Sequence, residues 1–191
     1  GFLAHLIHTK KPLSLLLWGP PGCGKTTLAR IYARSLDAHF YPISPLMQGT
    51  SDLKKLIDDQ KNHPLLQKRC VIFVDEIHRF NKAQQDIFLP YLENGTMILI
   101  GATTENPSFA LNKALLSRLR VLQLKPLSEE ELFSVLARSE QKLGALDLTS
   151  EARHMLVQMA QGDARHLLNL VENLVGTEGT VDVSRLQNLA Q

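Results

Sequence analysis

An α/β fold is what this sequence predicts: a five-stranded parallel sheet with helices on both faces, followed by a small all-helical unit. Three observations predict it. Leu13 to Trp18 is an uncharged apolar run, followed at once by Gly19-Pro20-Pro21-Gly22-Cys23-Gly24-Lys25-Thr26, then by Leu28, Ile31, Tyr32 and Leu36 at helical spacing. Strand, glycine loop and helix together are the setting of a phosphate-binding loop. Val71 to Val74 is a second apolar run, ending in the adjacent carboxylates Asp75 and Glu76. Finally, strand-like runs alternate with helical stripes as far as Leu124 and then give way to helical stripes alone. Such alternation implies right-handed crossovers between parallel strands.

In chain order, residues 2–9 read as a helix with Phe2, Leu3, Leu6 and Ile7 on its apolar face, stopped by Lys10-Lys11-Pro12. It has no cap, as expected of a chain that starts inside a longer protein. The first strand, the glycine loop and its helix run to about Leu36. His39 to Ser44 is the second strand. Thr50 or Ser51 caps a helix carrying Leu53, Leu56 and Ile57, interrupted at Asn62-His63-Pro64. Cys70 to Val74 is the third strand, and Asn81 to Leu92 an amphipathic helix ended by Asn94-Gly95. Thr96 to Ala102 is the fourth strand, Asn112 to Arg118 a short helix, and Arg120 to Leu124 the fifth strand. Beyond Lys125-Pro126, three stripes predict three helices: Leu132, Val135 and Leu136; Ala152, Leu156 and Met159; Leu167, Leu170, Val171 and Leu174. Val181 to Val183 is the one further strand candidate. The boundary therefore falls between 1–125, the sheet unit, and 126–191, the helical unit.

Composition narrows the class. The 191 residues carry a net charge of +2, too little to argue for nucleic acid on electrostatics alone. No apolar run is long enough to cross a membrane, and no secretory signal opens the chain. Cys23 and Cys70 are the two cysteines, too few for a disulfide framework or a zinc site, which fits a reducing cytoplasm.

The chemistry follows from residue types and placement. Glycines let the loop aim several N–H groups at one anion, and the next helix opens with unpaired N–H groups and the positive end of its dipole. Gly19 to Thr26, with Thr27 beside them, are the nucleotide-binding residues. Lys25 reaches the β- and γ-phosphates, and the Thr26 hydroxyl ligates Mg²⁺. Ligands of open parallel sheets bind beyond the carboxyl ends of strands, so the loop and Asp75-Glu76 belong at one edge. Asp75 is suited to Mg²⁺ through its water shell, and Glu76 to deprotonating an attacking water. Thr104 ends the fourth strand there, with Thr103, either bonding that water or simply favouring the pleat. Arg118 is either a surface arginine or a group that neutralises phosphoryl charge in a neighbouring subunit. Arg165 opens a helix, where a cation is disfavoured by the dipole, so it meets an anionic ligand or pairs with Asp163. Trp18 reads as core, Cys23 as reachable when nucleotide is absent, and His78 and His154 as single histidines in solvated or core roles.

With these residues in hand the chain resembles the AAA+ ATPases of the clamp-loader-like branch. Gly19 to Thr26 looks like Walker A, Val71 to Glu76 like Walker B, Thr104 like sensor 1, Leu116-Ser117-Arg118 like the motif of the arginine finger, and Gly162-Asp163-Ala164-Arg165 like sensor 2 on a helical lid. Asp75 to Lys82 with Gln84-Gln85-Asp86, and Gly101 to Phe109, are similar to the replication-associated recombination protein A family, which includes the Werner-helicase-interacting ATPases. That resemblance implies a DNA-dependent ATPase with ATP and Mg²⁺, acting in fork maintenance and recombination at subunit interfaces. It implies a homo-oligomer, a tetramer in the full-length protein, on forked or single-stranded DNA without sequence preference. Replication proteins are implied as further partners, and a bacterial, nucleoid-associated place in the cytoplasm. Thr50, Ser51, Lys54, Lys55, Asn81 and Lys82 are the DNA contacts it suggests, against plain solvated helix ends.

Two other readings fit some of the same residues. Asp75-Glu76-Ile77-His78 with Gly101-Ala102-Thr103 superficially fits a helicase core, but such enzymes need two sheet domains and this length holds one. A nucleotide-gated scaffold that binds ATP with little turnover also fits.

Overall fold

The computed structural model describes residues 1–44, 51, 54, 55, 57–59, 69–177 and 179–189. They form two compact units, one of Gly1–Gly19 with Lys25–Leu124, the other of Pro20–Gly24 with Lys125–Gln191.

The first unit is built on five parallel strands, β1 (Leu15–Trp18), β2 (His39–Ile43), β3 (Cys70–Val74), β4 (Ile98–Thr103) and β5 (Arg120–Gln123), in the order β2-β3-β4-β1-β5. Central strands of such a sheet are covered on both faces, which explains their unbroken apolar runs. Side chains alternate between the faces. Leu16, Ile72, Val74 and Leu99 pack on one side with Ile77, Phe80, Phe88 and Leu115. Leu15, Leu17, Val71, Phe73 and Ile100 pack on the other with Leu6 of α1 (Phe2–Thr9) and with Ala29, Tyr32 and Ala33 of α2 (Lys25–Ser35). The buried Tyr32 hydroxyl donates to the Lys11 carbonyl at 2.6 Å and accepts from the Leu13 N–H at 2.8 Å, tying α2 to the start of β1.

Three details differ from expectation. Ile31 is 47% exposed, because the core-facing stripe of α2 runs through the small residues Ala29 and Ala33 instead. The helix expected over Asn81 to Leu92 is two, α3 (Lys82–Asp86) and α4 (Leu89–Glu93), with Pro90 in the first turn of α4. Pro90 lacks an N–H, and its ring would clash with the carbonyl of Asp86, so one helix cannot continue through it. An extra turn, α5 (Pro107–Ala110), precedes α6 (Lys113–Leu116), and Arg118 lies just past the end of α6. Residues 51, 54, 55 and 57–59 are helical, while Thr50, Leu53, Leu56 and Asn62-His63-Pro64 lie outside the described residues.

The second unit contains α7 (Glu129–Leu143), α8 (Ser150–Met159), α9 (Ala164–Leu174) and α10 (Val183–Leu189). Ser128 and Glu131 form a capping box on α7, Thr149 caps α8 and Asp163 caps α9. The core is Leu132, Leu136, Leu156, Leu167, Val171 and their neighbours. Arg153 on α8 grips Glu140 on α7 through two hydrogen bonds of 2.7 Å. The strand expected at Val181 to Val183 is a single parallel bridge from Val181 to Leu148, and Val183 already belongs to α10. Among the described residues no helix is long and apolar enough to cross a membrane.

Candidate nucleotide-binding site

β3, β4 and β1 are adjacent and parallel, so their carboxyl ends share one edge of the sheet. Trp18 is in register with Thr103, and Val74 with Gly101. The Gly19 N–H extends the ladder by one bond, donating to the Thr103 carbonyl at 3.1 Å. The residue that opens the glycine loop therefore leaves the sheet beside the strand that carries Thr103, and Asp75 leaves it on the far side of that strand. A side chain at position 19 has no room, because a Cβ would stand 2.6 Å from the Leu124 carbonyl oxygen. Lys25 is the first residue of α2 and only 8% exposed. Its ammonium donates to the Gly19 carbonyl at 2.8 Å, folded back along the loop it follows. Thr26 is half-buried and Thr27 exposed, both in the first turn of α2.

The rest of the loop, Pro20–Gly24, packs within the second unit. Gly22 has φ +63°, a conformation that costs any L side chain. Its carbonyl accepts from the Ala164 N–H at 3.2 Å, and a Cβ there would stand 1.7 Å from Asp163 Oδ1. That oxygen accepts from the N–H groups of Arg165 and His166 at 2.7 and 3.0 Å. Asp163 is thus a helix cap pressed against the loop rather than a partner for the Arg165 guanidinium. A cleft of about 420 Å³ lies alongside, lined by Pro20, Pro21, Pro126, Met159, Gly162 and His166. Cys23 is buried, so the expectation of a reachable thiol does not hold.

Beyond β3, Asp75 and Glu76 are both half-buried. Asp75 Oδ1 accepts from the Glu76 N–H at 3.1 Å. Glu76 sits in the left-handed region at φ 50°, ψ 49°, a conformation that tends to mark functional sites. Its Oε2 lies 3.5 Å from the Thr104 hydroxyl and 3.1 Å from Nδ1 of His78, on the single 3₁₀ turn Ile77–Arg79. His78 also meets Thr103 Oγ1 at 2.9 Å and Glu105 Oε1 at 3.5 Å. From the sequence alone His78 is a single histidine in a solvated or core role. Its position three residues past Asp75 was the available signal, because a tight turn there brings residue 78 back over the end of β4.

Lys25, Asp75, Glu76 and Thr104 thus belong to one sheet edge, while Arg118 is engaged elsewhere. The Arg118 guanidinium is ion-paired with Glu93 at 2.5 Å and donates to the Ala114 carbonyl at 2.8 Å. Arg165 is exposed, with no side-chain partner among the described residues.

The donors suit magnesium. Mg²⁺ prefers hard oxygen ligands and takes only one or two from a protein, the rest from phosphates and water. A hydroxyl from Thr26 and a carboxylate from Asp75 meet that pattern. No cluster of three or more histidine, cysteine or acidic residues able to hold a metal occurs among the described residues.

The family described as "ATPase family associated with various cellular activities (AAA)" matches residues 15–127. Replication-associated recombination protein A of Coxiella burnetii is 48% identical, over 88% of this chain and 42% of its own length. The Escherichia coli K12 protein of that name is 46% identical, over 88% and 41%. The ATPase WRNIP1 of Dictyostelium discoideum is 43% identical, over 83% and 19%. The chain thus spans less than half the length of these relatives. The solved structure of the Thermotoga maritima RuvB Holliday junction branch migration motor superposes with a TM-score of 0.79 at 26% identity, over 98% of this chain and 64% of that one. With the family match covering more than half of its residues, the chain belongs to the AAA family of ATPases.

Proposed function

We propose that this chain is the ATP-hydrolysing core of an AAA ATPase that works on DNA during replication-associated recombination. The observation that carries the reading is the Gly19 N–H bonded to the Thr103 carbonyl, in a sheet where β4 lies between β1 and β3. The phosphate-loop lysine and the acidic pair then serve one triphosphate. Loop N–H groups and Lys25 hold the β- and γ-phosphates, and Thr26 and Asp75 hold Mg²⁺. Bound Mg²⁺ would neutralise phosphate charge. Glu76 takes a proton from the attacking water, and Thr104 donates to that water or to the γ-phosphate. The cleft beside Pro20 and Pro21 takes the base, and Arg165 takes a phosphate. Arg118 serves the site of a neighbouring copy, in a homo-oligomer that is a tetramer in the longer protein.

DNA is the proposed substrate because the relatives are named for replication-associated recombination and for branch migration. Ser51, Lys54, Lys55, Asn81 and Lys82 are the proposed phosphate contacts, and such contacts are independent of sequence and weakened by salt. A nucleotide-gated scaffold is the second reading, and the engagement of Arg118 by Glu93 within one chain favours it.

Glu76→Gln separates the two. Hydrolysis predicts that Mg-ATP affinity stays within about threefold while phosphate release falls by roughly a hundredfold or more, measured with and without forked DNA. Unchanged phosphate release from Glu76→Gln would remove Glu76 from its role. No release from the unaltered protein, with ATP bound, would favour the scaffold.

A further inference from the structure

At this sheet edge His78 meets Glu76, Thr103 and Glu105 and has no role in the reaction described above. Its side chain is 12% exposed, against 32% for Glu76 and 59% for Glu105. The contacts of Nδ1 make it a donor. An ionised carboxylate only accepts, so Nδ1 at 3.1 Å from Glu76 Oε2 must carry a proton. That proton is shared with Thr103 Oγ1 at 2.9 Å. Thr103 is fully buried, and its hydroxyl oxygen also accepts the Glu105 N–H at 3.0 Å. With Nδ1 as donor, its contacts with Glu76 and Thr103, and the Glu105 N–H bond to Thr103, each pair a donor with an acceptor. The imidazole joins the carboxylate of Glu76 to the last residue of β4 and to the turn that follows it. Glu76 needs such a joint. Its backbone is left-handed, and its other side-chain hydrogen bond among the described residues, from Thr104, is long at 3.5 Å.

We propose that His78 is a positioning residue for Glu76, holding its carboxylate to the carboxyl end of β4 through Nδ1–H and so fixing where the base meets the attacking water. The proposal rests on the hydrolytic reading above and deepens it. A group displaced by even 1 Å from a productive geometry can lose a hundredfold in rate, so an anchored carboxylate matters more than one left to its three rotatable bonds.

Two measurements test it. In phosphate-release assays, His78→Ala should lower kcat roughly tenfold with the KM for ATP within about twofold, because the loss lies in the chemical step. His78→Asn places an amide N–H near the position of Nδ1 and should restore kcat to within about threefold. A thermal melt of each variant separates loss of rate from loss of fold. A fall in kcat under twofold, a KM that rises in parallel, or an asparagine variant no better than alanine would overturn the proposal. The second measurement needs no turnover. With ¹⁵N-labelled histidine, the Nδ1 resonance of His78 should move in Glu76→Gln and in Thr103→Val and stay in place in Glu129→Gln. A resonance indifferent to Glu76→Gln would overturn the tether. If the unaltered protein released no phosphate, the hydrolytic reading would fall, while the resonance would still decide whether His78 holds Glu76.

Discussion

At the scale of the residue, Gly22 shows how one position can answer to two demands. Its φ of +63° gives the loop its curve, and its missing side chain leaves room for the Asp163 carboxylate that caps α9. Gly22→Ala should therefore suffer twice, from a left-handed alanine and from a Cβ driven into Asp163. Each kind of strain costs on the order of 1–3 kcal/mol. The expected result is a Mg-ATP affinity at least about tenfold weaker and a lower melting temperature. Adding Asp163→Ala should recover part of the stability and not all of it, since the clash goes and the backbone strain stays. Full recovery, read by thermal melting, would mean that the left-handed conformation costs nothing there.

Single residues also decided what the sequence made legible. The phosphate loop and Asp75-Glu76 could be read directly, because backbone geometry and charge placement at such sites allow few residue types. His78 could not. A histidine can serve in so many ways that only the turn after β3, which brings it to Thr103 and Glu76, singles it out.

At the scale of the element, the sequence places each strand of the described sheet within about two residues, most directly the central β1, β3 and β4, whose burial leaves unbroken apolar runs. Helix limits were harder. Pro90 splits an apolar pattern that reads as continuous, since the pattern reports which face is buried and not whether the backbone bonds can run through. Val181 to Val183, a strand candidate in the sequence, makes only the bridge at Val181, and α10 begins two residues on.

The joint between α7 and α8 carries a prediction of its own. The two hydrogen bonds from Arg153, opposed in part by burial, hold the Glu140 carboxyl below the ordinary carboxylate range. A depressed folded value means that the pair stabilises fully above the unfolded pKa, near 4.5, and fades as pH falls through the lower folded value. Glu140→Gln should cost about 1.5–3 kcal/mol at pH 7, and the gap to the unaltered chain should narrow as pH falls below 4.5 and close once it is under the lowered folded value. Urea unfolding at a series of pH values reads this directly. A gap independent of pH would show that the charge of Glu140 is not what binds the two helices.

At the scale of the whole molecule, the sheet unit and the helical unit each have their own core, and the phosphate loop is shared between them along the chain. Gly19 and Lys25 belong to the first, and Pro20 to Gly24 to the second. We propose that a triphosphate and its magnesium bind at the sheet edge that carries Lys25 and Asp75. The measurement that bears most directly on this is calorimetric titration of Mg-ATP into the chain and into its Lys25→Ala and Asp75→Asn variants. A triphosphate and its magnesium held at the shared sheet edge require saturable binding to the unaltered chain. They also require a loss of at least roughly tenfold in Lys25→Ala, and in Asp75→Asn a loss that appears with magnesium and vanishes when it is chelated. Binding that is absent from the unaltered chain, or equally tight in all three proteins, would contradict it.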